Sequence, residues 1–564
     1  MTPLFQELPL ARAAPAWQNA AMTDGERALR RHWRRRRYVV ALVAVYAASI
    51  LVARVWWGHH ADGRLSEVVN AIRARGEPLG WPDLARPAIT DDQNAVLLYR
   101  QAAELPLLWQ DLDDLPDLFS SGPELGDDLP AEQRHKLARL KSMLRYLGDA
   151  PKFRRDHAAD VAEILRLSRD ARRLCRLARS RPGANWQRDY SGPALGSLTT
   201  DIRPCHDLAR LLVVAALTAH EAGDHAEAIE CILDVLRLAR ALEADPSLIS
   251  HLSAVGIAAM AVQATENILP DLKLSANDPR AATRRQAEAL LYELLDERPA
   301  AEGLVLALAS ERCVQYDTTE RFRGPQGPGD RKMAWPRYAL LQFVIGPAWQ
   351  LDEARLLRYM SALVAAAKAP DLPTAGKLYP KYTDPTALKR TARMLSTVLM
   401  PSLGRVHELH FEAIASRRLA ATAVAIRLYE SDHGQRPAKL EELAPKYLPA
   451  LPADPFIVDG RACGYLSGGK PALIYYVARD GADNGGRYDA DGDGFVDHRD
   501  RCGSIDWVFF LNGHRPVKES LWEDPDADPA PRVPPTGPFD PPPGRPASRP
   551  QRPPQHEQHR QPRK

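Results

Sequence analysis

Apolar residues follow three different patterns along the chain. An unbroken apolar run from Tyr38 to Trp57 contains a single charged residue, Arg54. From about Arg64 to Ser402, leucine and alanine recur at spacings of three and four, which is the period of amphipathic helices. Beyond Pro401, one more helical stretch is followed by short runs rich in β-branched and aromatic residues. The pattern predicts a mainly α protein with an N-terminal transmembrane helix, a helical extracytoplasmic domain and a small C-terminal α+β unit with an antiparallel sheet.

The run from Tyr38 to Trp57 has the length of a membrane anchor, because about 20 helical residues span the hydrocarbon core of a bilayer. Seven arginines between Arg27 and Arg37 precede it and indicate that the N-terminus stays in the cytoplasm. The bulk of the chain is then expected outside the cytoplasm, held to the inner membrane by residues 38–57. A cleaved signal peptide and a buried core helix are the alternatives. The end of the run and the residues after it, RVWWGHH, form a poor cleavage site and favour a retained anchor.

The region from Arg64 to Ser402 contains one clear helical hairpin, Leu208 to Arg240, with a turn at residues 222–224. The hairpin resembles a tetratricopeptide repeat, but it lacks the aromatic positions and a second copy, which favours a plain hairpin. Two later apolar runs, Tyr338 to Trp349 and Leu211 to Ala219, are too short to span a bilayer. Both are predicted to be core helix.

The last quarter of the chain predicts a different unit. Leu403 to Ser431 reads as a long helix ending at His433-Gly434, and Leu440 to Leu448 as a short second helix. Three strands are predicted near Cys463, Ala472 and Asp506, followed by a proline-rich, disordered tail. The predicted divisions are a basic tail (1–37), the anchor (38–57), the helical domain (58–402), the α+β domain (403–517) and the disordered tail (518–564).

Composition excludes several classes of protein. The 564 residues carry 75 basic and 72 acidic side chains, a net charge of +3, so we expect no nucleic-acid partner. Six cysteines are too few for a disulfide-dense scaffold, and a mean hydropathy of -0.36 excludes a polytopic membrane protein. Arginine outnumbers lysine roughly four to one, so arginine on helix faces is interpreted as background.

The segment from Arg417 to Gly486 resembles the globular part of the major pseudopilins of type II secretion. The resemblance rests on a helix ending in Y-x-x-x-x-G-x-x-P, then L-x-x-L and L-P-x-D-P. The matching residues are Tyr429, Gly434, Pro437, Leu440, Leu443, Leu451, Pro452, Asp454 and Pro455. The arginine block stands where that family carries its prepilin-peptidase site, which argues against assembly into a pseudopilus. The whole layout also resembles large bacterial single-pass membrane proteins with such a C-terminal unit, a resemblance that implies no particular chemistry.

The acidic segment DADGDGFVDHRDRC has the ligand spacing of an EF-hand-type calcium loop, with Gly494 at the sharp turn. It resembles a single thrombospondin type 3 repeat. The predicted ligands of one structural Ca²⁺ are Asp489, Asp491, Asp493, Asp497 and Asp500 through their side chains and Phe495 through its carbonyl. The pseudopilin comparison suggests Asp480 and Asp483 as further ligands. A solvated acidic loop without a specific ion is the alternative.

Cys463 and Cys502 flank the acidic loop on adjacent predicted strands and could form a disulfide outside the cytoplasm. Two reduced core cysteines are the alternative. His407 and His410 lie at i and i+3 on one helix, where they could bind a metal. They lack the H-E-x-x-H spacing of zinc proteases, so surface or core histidines are the favoured interpretation.

No catalytic residue and no organic cofactor is predicted, because the sequence contains no P-loop, no G-x-S-x-G and no dinucleotide fingerprint. The favoured function is a membrane-anchored extracytoplasmic scaffold or binding protein with envelope protein partners, linked to secretion or envelope organisation. The alternative is an extracytoplasmic hydrolase with its active site in the helical region. A convergent His/Asp/Glu cluster in a deep helical pocket would favour the hydrolase, and a shallow groove of small and apolar residues the binding protein.

Overall fold

The helical region and the C-terminal sheet predicted above are both present in the structure, a computed structural model. It describes residues 24–104, 130–148, 151–192, 201–323, 335–379, 403, 405–469, 471–489, 505–512 and 515–516. All of these belong to one compact unit, Met1–Glu519.

The described part of the chain is mainly helical. The helices are α1 (Asp24–Ala74), α2 (Ala95–Ala103), α3 (Ala131–Leu147), α4 (Pro151–Asp156), α5 (Ala158–Leu167), α6 (Arg169–Arg179), α7 (Ile202–Glu221), α8 (His225–Glu243), α9 (Leu248–Ile268), α10 (Arg284–Leu295), α11 (Arg298–Arg323), α12 (Trp335–Ala366), α13 (Leu372–Leu378) and α14 (Arg405–His433). Short 3-10 turns lie at Trp81–Leu84, Leu269–Asp271 and Leu440–Leu443.

Helix α1 has two halves with opposite environments. Its apolar stretch around Val40, Tyr46 and Val52 is exposed, whereas Leu65 and Ile72 near its end are buried against α12. By length and hydropathy, two helical segments of the described chain could cross a membrane, His32–Ala74 and Leu248–Asp271. The apolar window of the first is entirely exposed, while more than half of the second is buried in the protein.

Helices α7, α8 and α9 pack against one another and form the centre of the helical part. The predicted hairpin from Leu208 to Arg240 is confirmed. Gly223 has φ +79°, which closes the turn, and the Asp224 side chain accepts a hydrogen bond from the Glu227 amide at the start of α8. The apolar run beginning at Leu211 is buried, as predicted.

The C-terminal part is a long helix packed on a small sheet. Strands β1 (Gly464–Leu466), β2 (Leu473–Tyr476) and β3 (Trp507–Phe510) form an antiparallel sheet in the order β1-β2-β3. Helix α14 ends before Gly434, whose φ of +73° terminates it as expected from the sequence. The prediction of helix over Leu440–Leu448 is wrong beyond one 3-10 turn, because Ala444 precedes a proline and is extended.

The prediction of core helix for Tyr338–Trp349 is also wrong in part. This run lies in the first half of α12, where Leu340, Phe343 and Val344 are exposed. An apolar helical run of this length indicates a helix, but periodicity alone does not say whether the helix is covered by protein.

Contacts join the sheet to the helical part. The Glu266 carboxylate on α9 accepts a hydrogen bond from the Phe510 amide (2.8 Å) and pairs with Arg515 (2.9 Å). Helix α14 packs on both α9 and α10. The division of the chain at residue 402 stays a prediction, and the tail 518–564 lies outside the described residues.

Candidate functional site

A cavity of about 310 Å³ opens where α2, the ends of α6 and α8, and the start of α11 meet. We call it the arginine cleft, because six arginines line it: Arg86, Arg179, Arg181, Arg237, Arg240 and Arg298. Arg179 is the last residue of α6, and Arg240 lies in the last turn of α8. Helix C-termini carry partial negative charge and favour arginine at these positions.

Four of the six arginines are held by carboxylates. Arg179 pairs with Glu230 and Asp234, Arg237 with Glu293, Arg240 with Glu293 and Asp296, and Arg298 with Asp296. These carboxylates do not line the cleft, so they approach the guanidinium groups from outside it. The ion pairs therefore fix the positions of the four side chains while leaving the cleft wall basic.

The other two arginines, Arg86 and Arg181, have no carboxylate partner among the residues that the structure describes. Arg86 is exposed after the 3-10 turn Trp81–Leu84, and Arg181 is partly buried in the loop after α6. That loop is tied to α2, since the Ala95 amide donates to the Gly183 carbonyl (2.9 Å) and the Gly183 amide to the Gln93 carbonyl (3.1 Å). These bonds place Arg181 at the cleft next to α2.

Glu243 and Gly303 meet on the same cleft wall. Glu243 is the last residue of α8, is buried, and lines the cleft together with Gly303 of α11. A Cβ atom at Gly303 would overlap the Glu243 carboxylate, so the position requires glycine for this close approach. Glu302 of α11 also lines the cleft, so two carboxylates face six arginines there.

The Glu243 carboxylate is bonded to an imidazole. Its Oε2 atom lies 2.6 Å from Nδ1 of His251, which is buried on α9. Burial raises the pKa of Glu243, and the neighbouring His251 and Arg417 oppose that shift. A carboxyl group with a raised pKa that contacts an imidazole is a candidate for general acid–base chemistry.

His251 begins a cluster of three buried histidines, His251, His407 and His410, which we call the histidine cluster. The rings of His251 and His410 have centroids 5.6 Å apart, and His407 Nε2 lies 3.0 Å from the Leu363 carbonyl. Among the residues that the structure describes, three ring nitrogens of the cluster find no hydrogen-bond partner: Nε2 of His251, Nδ1 of His407 and Nδ1 of His410. Burial lowers the pKa of His407 to about 4 and that of His410 well below its usual value, which favours neutral imidazoles.

The sequence pointed to His407 and His410 as core or surface residues, and the structure buries both. Within the described ranges, no group of three or more histidine, cysteine, aspartate or glutamate side chains is arranged to hold a metal ion. Sequence reasoning missed Glu243, His251 and the arginine cleft. The one sequence feature that pointed to the cleft was the helical spacing of Arg237 and Arg240, and the abundance of arginine elsewhere obscured it.

Most of the predicted calcium ligands, Asp491, Asp493, Phe495, Asp497 and Asp500, lie outside the described residues. Asp489 is described, and its carbonyl accepts a hydrogen bond from Arg487 (2.9 Å). Of the two suggested further ligands, Asp480 accepts from the Ala482 amide, and Asp483 pairs with Arg461 (3.0 Å). The calcium site therefore stays a prediction.

The predicted disulfide also involves a residue outside the described ranges. Cys463 is buried, and burial raises the pKa of its thiol to about 12. Cys502 lies outside the described residues, so the pairing also stays a prediction.

Comparison with known proteins adds no relative: the chain matches no protein-family model, no curated protein and no solved structure.

Proposed function

We propose that this chain is a membrane-anchored binding protein that captures an anionic ligand in the arginine cleft, outside the cytoplasm. The observation that carries the proposal is that Arg86 and Arg181 have no carboxylate partner in the described structure, yet line a cavity with four further arginines. The ligand class is a small molecule or chain segment bearing phosphate or carboxylate groups.

The geometry of the guanidinium group supports this ligand class. Arginine presents a planar fork of donors that matches phosphate and carboxylate oxygens in pairs. A volume of about 310 Å³ is within the range of small-molecule sites. The four arginines already held by carboxylates need little further ordering when a ligand binds, which reduces the entropic cost of binding.

Binding is tested by isothermal titration of the full chain in detergent with inorganic pyrophosphate and, separately, with citrate. We expect heat with at least one anion and weaker binding as salt increases, because the interaction is electrostatic. The double variant Arg86→Ala/Arg181→Ala should bind more weakly. Arg73→Ala, which changes an exposed arginine on α1, is the matched control. Equal binding by the parent and the double variant would contradict the proposal.

The proposed location rests on the arginine block before residue 38 and on the exposed apolar stretch of α1. A reporter enzyme that is active only outside the cytoplasm, fused after Lys564, should be active. An inactive reporter on an intact, membrane-bound fusion would contradict the topology.

A second candidate function is hydrolysis of the bound ligand, and the Glu243–His251 pair favours it. The pair combines a carboxyl group of raised pKa with an imidazole next to an anion-binding surface, which are the groups of general acid–base catalysis. Release of p-nitrophenol from p-nitrophenyl phosphate or acetate tests it. Glu243→Gln should abolish the release and preserve pyrophosphate binding, and absence of release by the parent chain would exclude this chemistry for both substrates.

We also propose that the acidic loop binds a structural Ca²⁺, which is supported by the ligand spacing after Asp489. We further propose protein partners in the envelope and a link to secretion, which are supported by the pseudopilin resemblance.

A further inference from the structure

The first half of α12 lies beside the anchor and runs in the same direction. Arg54 of α1 contacts Phe343, Asp62 contacts Gln350, and Glu67 contacts Arg358. The partner on α12 moves forward along the chain together with the residue on α1, so the two helices are parallel through this stretch.

Helix α12 extends beyond the Arg54 contact towards the bilayer side. It begins at Trp335, eight residues before Phe343, which corresponds to about 12 Å of helix. Since the helices are parallel, this first part of α12 points towards the N-terminal end of the anchor. Arg54 itself lies within the apolar run 38–57. The start of α12 therefore lies level with about Tyr46, near the middle of the apolar run, and residues 340–344 lie level with its outer part.

The surface of α12 changes character along its length. Leu340, Phe343 and Val344 are 64%, 43% and 55% exposed, whereas Leu357 and Met360 are buried. The change occurs at Gly346 and Pro347, which are buried. Large apolar side chains exposed together are unusual in a soluble protein and indicate a surface that something else covers.

We propose that the first half of α12 is a second membrane-contacting element, which rests in the outer interface of the bilayer beside the anchor. The surface of Leu340, Phe343 and Val344, which we call the α12 patch, is exposed, as are Val52 and Val55 on α1, and the Arg54–Phe343 contact places the two at the same level. A bilayer that surrounds the anchor would meet both surfaces at once. This inference rests on the membrane anchoring proposed above and is independent of the ligand in the arginine cleft.

Contact with lipid has a consequence for the arginine cleft. A single transmembrane helix leaves the domain free to tilt about its exit point, whereas a second contact on a helix packed against it limits that motion. The C-terminal half of α12 packs against α11, the helix whose first residues line the arginine cleft. The α12 patch would therefore hold the cleft in one orientation relative to the membrane surface.

The test places an environment-sensitive fluorophore on single introduced cysteines in the full chain. Val344→Cys and Leu340→Cys report on the α12 patch, Val52→Cys on the anchor, and Val458→Cys is a matched exposed valine far along the chain. The labelled proteins are reconstituted into vesicles of phosphatidylcholine and phosphatidylglycerol. Quenching is measured with a nitroxide on the lipid acyl chains and with aqueous iodide, and the unmodified chain corrects for labelling of native cysteines.

We expect labels at 340, 344 and 52 to be quenched by the lipid nitroxide and the label at 458 by iodide only. Quenching at 52 by lipid, with 340 and 344 accessible to iodide alone, would overturn the proposal and leave the anchor intact. Protection of 340 and 344 from both quenchers would mean that protein, such as a second copy of the chain, covers the patch. Absence of lipid quenching at 52 would instead contradict the anchor.

Discussion

The Arg54 side chain hydrogen-bonds the main-chain carbonyl of Phe343, 289 residues away in the sequence. Pro347 lies four residues after Phe343 and has no amide hydrogen, so it leaves that carbonyl without its helical donor. Arg54 supplies the missing donor and also donates to the Gln342 carbonyl (2.9 Å). The one charged residue of the apolar run thus joins α1 to α12.

Arg54→Leu should lower the stability of the α1–α12 pair by about 1–3 kcal/mol, because the Phe343 carbonyl, which the proposed membrane contact would shield from water, then lacks a donor. Pro347→Ala restores an amide that can donate to the Phe343 carbonyl. The double variant should therefore lose less than Arg54→Leu alone. Thermal melting of the four proteins of this cycle in detergent measures the coupling, and simple additivity would show that Arg54 does not act on this carbonyl.

Gly303→Ala should destabilise the protein by about 1–3 kcal/mol, since the new methyl group overlaps the Glu243 carboxylate and the site must shift. The matched control is Gly376→Ala in α13, where nothing lies within 4 Å of the new Cβ. That change should be neutral or stabilise by about 0.5–1 kcal/mol, because alanine is the better helix residue. Chemical denaturation compares the two, and equal effects would contradict the close approach at Gly303.

Stability should fall as the pH is lowered from about 6.5 towards 4, in part because His407 is buried as the neutral imidazole. The folded-state pKa of about 4 lies below the unfolded value of 6.5, so the unfolded chain binds the proton first. The loss from this one residue is about 2 kcal/mol at pH 5. The groups that face His407 are Tyr379, the Leu363 carbonyl, His251 and His410.

His407→Gln keeps a donor for the Leu363 carbonyl and removes the titrating group. Denaturation at pH 7 and pH 5 should show a smaller pH dependence for this variant than for the parent. His433→Gln, at the exposed end of the same helix, should leave the pH dependence unchanged. An unchanged slope in His407→Gln would show that other groups cause the acid sensitivity.

Millimolar calcium should raise the melting temperature of the full chain. Extracellular calcium modules of this kind have dissociation constants of about 10⁻⁴–10⁻³ M. Ten times that concentration stabilises by roughly 1.4 kcal/mol. Asp491→Ala and Asp493→Ala should abolish the shift, whereas Asp92→Ala, in an exposed turn, should preserve it. Magnesium should substitute poorly for calcium. If the melting temperature does not change up to about 10 mM calcium, the segment is an acidic turn without a calcium site.

The sequence by itself determined the features that depend on neighbours along the chain. The length of the apolar run 38–57, the hairpin closed at Gly223, the end of α14 before Gly434 and the three strands were all predicted from periodicity and turn residues. These features follow from local backbone preferences and from the spacing of apolar side chains. The prediction of helix over Leu440–Leu448 was wrong beyond one turn, because a proline within the run interrupts the helical pattern.

The tertiary structure alone decided which distant residues meet and which apolar surfaces stay exposed. Arg86, Arg181, Arg240 and Arg298 come from separate segments and converge only because α2, α8 and α11 pack together. An arginine at a helix end has the same local pattern whether it faces solvent or a cleft. In the same way, the apolar run after Tyr338 predicts a helix, but only the packing of α12 shows that Leu340 and Val344 remain uncovered. The spacing of apolar side chains indicates whether a segment is a helix or a strand. Which side chains meet at a site depends on contacts between residues far apart in the sequence.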